Sequence, residues 1–132
     1  MLDRLRAFNK TKALGEAMTD NEQQVLDINR EQLYDKGIGK DGNPLPAYTP
    51  QYAKRKPSRG VVDLYRTGKL HEAMKLEIQG EQYDISSQVN YSPYVLQRRP
   101  TSYGLTEEGK QTAWYVVRDD FIGKLKQETG LK

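Results

Sequence analysis

Two short alternating segments constrain this chain more than anything else in it. Lys75-Leu76-Glu77-Ile78-Gln79 and Gln82-Tyr83-Asp84-Ile85-Ser86 place apolar side chains at every second position, and only Gly80-Glu81 separates them. Period two marks half-buried strands, and a two-residue Gly-X turn joins antiparallel neighbours. A hairpin at about 75–86 is therefore expected, with Leu76, Ile78, Tyr83 and Ile85 on one face against helices. Two strands alone are marginal, so Val61-Val62, or a strand near Val89, is expected to extend the sheet.

The stretch entering the hairpin, Val61-Val62-Asp63-Leu64-Tyr65-Arg66-Thr67-Gly68-Lys69-Leu70-His71-Glu72-Ala73-Met74, organises the rest. It turns at Thr67-Gly68, where glycine suits a positive φ. It then carries Leu70 and Met74 at i, i+4, as on one helical face.

Upstream, Met1 to Ala17 reads as a helix with Gly15 a weak point. Thr19 and Glu22 fit a capping box, and a second helix runs to about Tyr34 on Val25, Leu26, Ile28 and Leu33. Asp35 to Ala47 reads as a mobile loop rich in Gly and Pro. Thr49-Pro50 starts a short helix to Lys56, and Pro57 to Gly60 is a second loop. Downstream, Ser92-Pro93 opens a short helix to Gln97. Thr106 caps a long C-terminal helix at about 107–128, with Glu107 and Glu108 in its first turn. Ala113, Val116, Val117, Phe121 and Leu125 form its apolar stripe. The fold class is α+β, expected as one domain over 1–132. It comprises an N-terminal helical region 1–35, a loop-rich region 36–60, a β centre 61–90 and a C-terminal helical region 92–130.

Composition bears on what such a fold can do alone. Only 36% of the residues are hydrophobic and 30% are charged, so a thin core is expected, with partner subunits supplying further burial. Nine Tyr stand against two Phe and one Trp, and Tyr suits surfaces that are apolar on one side and wet on the other. A net charge of +3 is mild for a dedicated DNA-binding domain. With no Cys and one His, neither a disulfide nor a thiolate or His-rich metal site is expected. No signal-peptide core or membrane-length apolar run is read, which places the chain in the cytoplasm or in something assembled there.

Each chemical motif meets a simpler explanation. Gly37-Ile38-Gly39-Lys40-Asp41-Gly42 matches G-x-G-x-x-G, but the dinucleotide fingerprint needs a strand before it and a helix inside it. Here a helix precedes it and Pro44 and Pro46 follow, so it reads as a glycine-rich turn. Lys54, Arg55, Lys56, Arg59 and Arg66 interleave with Tyr48, Tyr52 and Tyr65. Such a cluster could neutralise phosphates and stack on bases, or be a solvated helix face with a flexible loop. Asp119-Asp120 and Glu107-Glu108 point about 100° apart along a helix and cannot easily share a metal or a proton. His71 has Glu72 beside it and no Ser or Cys partner, so no catalytic residue, cofactor or metal ligand is assigned. Tyr91, Tyr94, Tyr103, Trp114 and Tyr115 crowd the C-terminal third, where packing of the last helix and contact between subunits account for them equally well.

Three segments carry a resemblance. They are Asn29-Arg30-Glu31-Gln32-Leu33-Tyr34 with the glycine loop and Tyr48-Thr49-Pro50-Gln51-Tyr52-Ala53-Lys54-Arg55-Lys56; Asp63-Leu64-Tyr65-Arg66-Thr67-Gly68-Lys69-Leu70; and Tyr103-Gly104-Leu105-Thr106-Glu107-Glu108 ahead of a terminal helix. The second is similar to the "DL–TG" element of tailed-phage virion-morphogenesis and tail-completion proteins. The third is similar to proteins of phages of Bacteroidetes hosts. In this order they resemble that group over roughly residues 25 to 125.

The resemblance implies a non-enzymatic virion structural protein, a head–tail connector, neck or tail-completion subunit. It implies a homo-oligomeric ring at the head–tail junction or tail top, joining portal-side connector and tail proteins, and host cytoplasm before assembly. Tyr48, Tyr52, Tyr65, Tyr91, Tyr94, Tyr103 and Trp114 are candidate subunit contacts. Lys54, Arg55, Lys56 and Arg59 are candidates to face packaged DNA without sequence preference. The loops Asp35–Ala47 and Lys56–Gly60 are candidate neighbour contacts. The alternative is a small sequence-independent nucleic-acid-binding module using the Lys54–Arg66 basic cluster.

Overall fold

The computed structural model describes residues 10–55, 62–65, 68–80 and 82–129. Helix α1 (Lys10–Asp20) and helix α2 (Glu22–Glu31) follow each other across a single turn residue, Asn21. The expected capping box is not formed. α1 runs through Asp20, so Thr19 lies inside a helix and its hydroxyl donates to the Gly15 carbonyl one turn back (2.9 Å). Asn21 is the N-cap, without a side-chain capping bond. The Glu22 carboxylate accepts the Leu76 amide (3.0 Å), satisfying a sheet-edge donor instead.

α2 continues into a π-helical turn, Gln32–Lys36, closed by Gly37 in the left-handed conformation (φ 62°). Val25, Leu26 and Leu33 on this spine are fully buried. Across it lies the long C-terminal helix, here α6 (Glu107–Thr129), which packs on α1 and α2 through Ala113 and Val117. The Thr106 hydroxyl accepts the Gly109 amide (3.0 Å), the cap the sequence called for.

β1 (Met74–Gln79) and β2 (Gln82–Ser87) form the antiparallel hairpin, in a register that sets Leu76 opposite Ile85 and Ile78 opposite Tyr83. β1 rests on α1 and α2. Gly80 opens the turn at φ 59°. No third strand joins the sheet among the described residues. Val62 and Val89 are half-buried against the core instead, and Val61 lies outside the described residues. Helix α4 (Lys69–Glu72) is a single turn. Leu70 and Met74 therefore do not share a helical face: Met74 begins β1, because the ladder already starts at Ala73, whose carbonyl accepts the Gln88 amide (2.9 Å). Both side chains are buried all the same.

Two short helices complete the chain, α3 (Pro50–Arg55) and α5 (Ser92–Arg98). Thr49 caps α3 by accepting the Tyr52 amide (3.3 Å). Ser92 does not cap α5. It is the first helical residue, and its hydroxyl meets the Tyr103 hydroxyl (2.9 Å) in the interior.

A candidate assembly surface around a bonded centre

The three segments that carry the resemblance meet in space. Asn29, fully buried on α2, donates to the Ser102 carbonyl (3.2 Å) and accepts the Gly104 amide (2.8 Å). One turn on, Gln32 donates to the Gly104 carbonyl (2.9 Å) and accepts the Thr106 amide (3.1 Å). Both amides thus use both ends, which is how a polar group becomes tolerable in a core. Arg30 donates through Nε to the His71 carbonyl (2.8 Å). The Tyr48 hydroxyl accepts the Leu64 amide (3.0 Å), and the Tyr34 and Tyr65 rings meet edge to face at 5.2 Å. α2 is the spine to which the other segments are fastened.

The Asp63–Leu70 element has a strained backbone. Leu64 sits at φ 55°, a left-handed conformation that costs an L-residue roughly 1–2 kcal/mol. It is held there from both sides: Tyr48 takes its amide, and the buried Asp63 carboxylate takes the Tyr65 amide (3.0 Å). Gly68 has φ 82°, and a Cβ there would lie 3.0 Å from the Tyr65 hydroxyl oxygen. Glycine is therefore required at this turn twice over. His71 is buried, with Nε2 2.8 Å from the Asp63 carbonyl and its ring against Tyr65. It pins the element to the hairpin, where the Ser87 hydroxyl holds the Leu70 carbonyl (2.8 Å).

The glycine loop is equally self-contained. Gly39 and Gly42 donate to the Asn43 and Gly39 carbonyls (2.9 Å each), and Lys40 donates to the Thr101 carbonyl (2.8 Å). The Asn43 amide goes to the Asp41 carboxylate (3.0 Å). A phosphate cradle needs those N–H groups free, so this match to G-x-G-x-x-G is a turn. Arg99 donates to the Pro46 and Ala47 carbonyls (2.9 and 3.1 Å) and lies over the Tyr48 ring. The segment expected to be mobile, Asp35–Ala47, is thus fastened along much of its length.

The candidate contact residues divide. Tyr103 is buried, its hydroxyl bonded to Ser92, so it belongs to the core rather than to a contact face. Burial raises its pKa above the usual tyrosine value, against the opposing effect of the Ser92 and Ser87 bonds. Tyr48 and Tyr52 are half-buried and pack edge to face at 4.9 Å. Tyr65, Tyr91, Tyr94 and Trp114 are exposed. Tyr34, Leu96, Tyr115 and Ile122 are exposed as well and were not among the expected contacts. The Tyr115–Ile122 spacing of seven, opposite the Ala113–Val117 face, was the available signal. Among the basic candidates, Lys54 is exposed on α3. The Arg55 side chain, Lys56, Arg59 and Arg66 lie outside the described residues, as does the loop Lys56–Gly60.

The acids serve helix packing. Glu107 pairs with Lys110 (3.1 Å), and Lys124 on α6 reaches Asp20 (3.2 Å) and Glu16 (3.9 Å) on α1. The hydrogen bond to Asp20 leads the causes that raise the Lys124 pKa. Among the described residues no group of three His, Cys, Asp or Glu could hold a metal.

At the hairpin tip the helices leave an apolar trough of 420 Å³ lined by Leu14, Met18, Ile78, Tyr83, Trp114 and Phe121. Burial there raises the Tyr83 pKa, partly offset by the nearby Lys110 charge and reinforced by Glu107. Searches against protein-family models, curated proteins and solved structures find no match to this chain.

Proposed function

We propose that this chain is a non-enzymatic structural subunit of a phage particle, a neck or tail-completion protein that repeats as a ring joining portal-side and tail components. The observation that carries this reading is a division of labour in the molecule. The three segments that resemble tail-completion proteins are joined in one buried bonded centre, while eight large apolar side chains, six of them aromatic, stand exposed among the described residues. Scattered exposed apolar residues are ordinary. Here six are Tyr or Trp, the types enriched where one protein buries another.

The centre supplies a rigid body, and the exposed rings supply adhesion without any reacting group. Electron microscopy of the assembled particle tests the reading. The expected result is several symmetry-related copies of the chain at the head–tail junction or tail top. A particle that assembles and infects without the chain, or that carries it in one copy away from the tail axis, overturns it.

A further inference from the structure

The hairpin separates two features that fit each other. At its tip is the apolar trough, walled by Leu14 and Met18 of α1, Ile78 and Tyr83 of the strands, and Trp114 and Phe121 of α6. Beyond its other end, five residues after β2 closes at Ser87, α5 begins. There Tyr91, Tyr94 and Arg98 follow one another at i, i+3 and i+7, along one face. Tyr94 is the most exposed large apolar side chain of those described, at 71%. A six-residue strand spans about 20 Å, so α5 of one molecule is well removed from the trough of the same molecule.

Charge agrees with shape. From Gln88 to Thr106 the chain carries Arg98 and Arg99 and no acid. The α1 side of the trough continues into Glu16 and Asp20, with Asp120 close to the same lysine. Three carboxylates there face two ammonium groups, Lys12 and Lys124, leaving an excess of one negative charge. A phenol ring matches the trough chemically, since its edge and face are apolar and its hydroxyl can stay at the polar rim beside Gln82.

We infer that α5 of one copy docks its Tyr91–Tyr94 face into the hairpin-tip trough of the next, with Arg98 against the acidic rim of α1. A knob and a hole at different places on one chain make a heterologous contact, which propagates head to tail and closes into a ring when the rotation per step permits. The inference deepens the proposed ring reading by naming the surface and the occupant, which is a second copy of this chain.

The test uses the full chain in solution. Wild type, Tyr94→Glu (knob charged) and Gln82→Trp (trough rim filled) are compared by sedimentation velocity from micromolar to millimolar concentration. Circular dichroism melts confirm that each is folded. Wild type is expected to associate beyond the dimer. Each variant is expected to associate at least about tenfold more weakly, the loss typical of an interface anchor. Mixed together, the two variants are expected to form a one-to-one heterodimer and nothing larger, since Tyr94→Glu keeps a trough and Gln82→Trp keeps a knob.

Because the chain has no cysteine, Gln97→Cys on α5 and Gln82→Cys at the trough give a background-free cross-link when mixed under oxidation. That cross-link is expected to exceed the self-cross-link of either variant. The inference is overturned by wild-type behaviour of Tyr94→Glu, by failure of the mixture to pair, by self-cross-linking that dominates, or by a monomeric wild type that gives no mixed cross-link. The last outcome leaves the ring reading standing if particles still carry several copies. Conversely, head-to-tail cross-linking of a chain absent from particles upholds this contact and removes the ring reading.

Discussion

The centre around α2 and the surface at the two ends of the hairpin follow opposite rules. In the centre, Asn29 and Gln32 each donate to one backbone group and accept from another, and no buried side-chain polar atom among the described residues lacks a partner. At the hairpin ends, Tyr94 and Trp114 hold aromatic surface out to solvent. A polar network in a core tolerates no loss, because each group removed strands its partner away from water. An exposed ring loses almost nothing in the monomer when it is changed. Substitutions should therefore separate folding from association cleanly.

The sharpest way to break this contrast is at Asn29. Asn29→Ala is expected to destabilise by about 3 kcal/mol, because it strands the Ser102 carbonyl and the Gly104 amide inside the protein. Denaturant unfolding measures it, and a loss below about 1 kcal/mol would mean the centre is not a cooperative network. Next comes Gly68→Val, expected to cost roughly 2–3 kcal/mol because a β-branched residue resists positive φ and its Cβ meets the Tyr65 ring. An unchanged melting temperature would show that this turn yields easily.

Gly109 is a close-approach point rather than a turn. A Cβ there would stand 2.7 Å from the Gln32 side-chain oxygen, so Gly109→Ala is expected to cost about 1–2 kcal/mol despite alanine's better helix propensity. A gain in thermal stability would contradict the packing of α6 on α2.

A smaller effect concerns alkali. Tyr83 and Tyr103 hold their protons more tightly in the folded state, mainly through burial. The unfolded chain then releases protons first, so their contribution is whole below the ordinary tyrosine value of 10.0 and declines as pH rises through and above it. Melting temperature should fall more steeply above that pH in wild type than in Tyr103→Phe, and parallel curves would refute the assignment. Smallest of all, Tyr94→Ser is expected to change stability by less than about 0.5 kcal/mol, as for a surface position.

Local pattern accounts for much of the fold. The hairpin register follows from alternation on either side of Gly80-Glu81, and the cap at Thr106 follows from an oxygen placed just before the first turn. Positions whose role depends on a distant partner were not legible. Thr19 and Glu22 have capping-box spacing, yet α1 passes through one and the Leu76 amide, 54 residues away in sequence, claims the other. Ser92 looks like a cap and is instead the partner of Tyr103. Exposure of individual tyrosines was equally hidden. Tyr94 and Tyr103 read alike in the sequence, and only the path of the chain puts one in water and the other in the core.

By itself the sequence determined the α+β class, the hairpin, most helices and the absence of any thiol, because these depend on residue type and on neighbours a few positions apart. The tertiary structure alone decided that three separated segments close on Asn29 and Gln32, and that a trough at one end of the hairpin and a tyrosine face at the other are left uncovered. Both outcomes depend on which distant groups compete successfully for each buried donor, acceptor and apolar surface. That competition is resolved only when the whole chain packs at once.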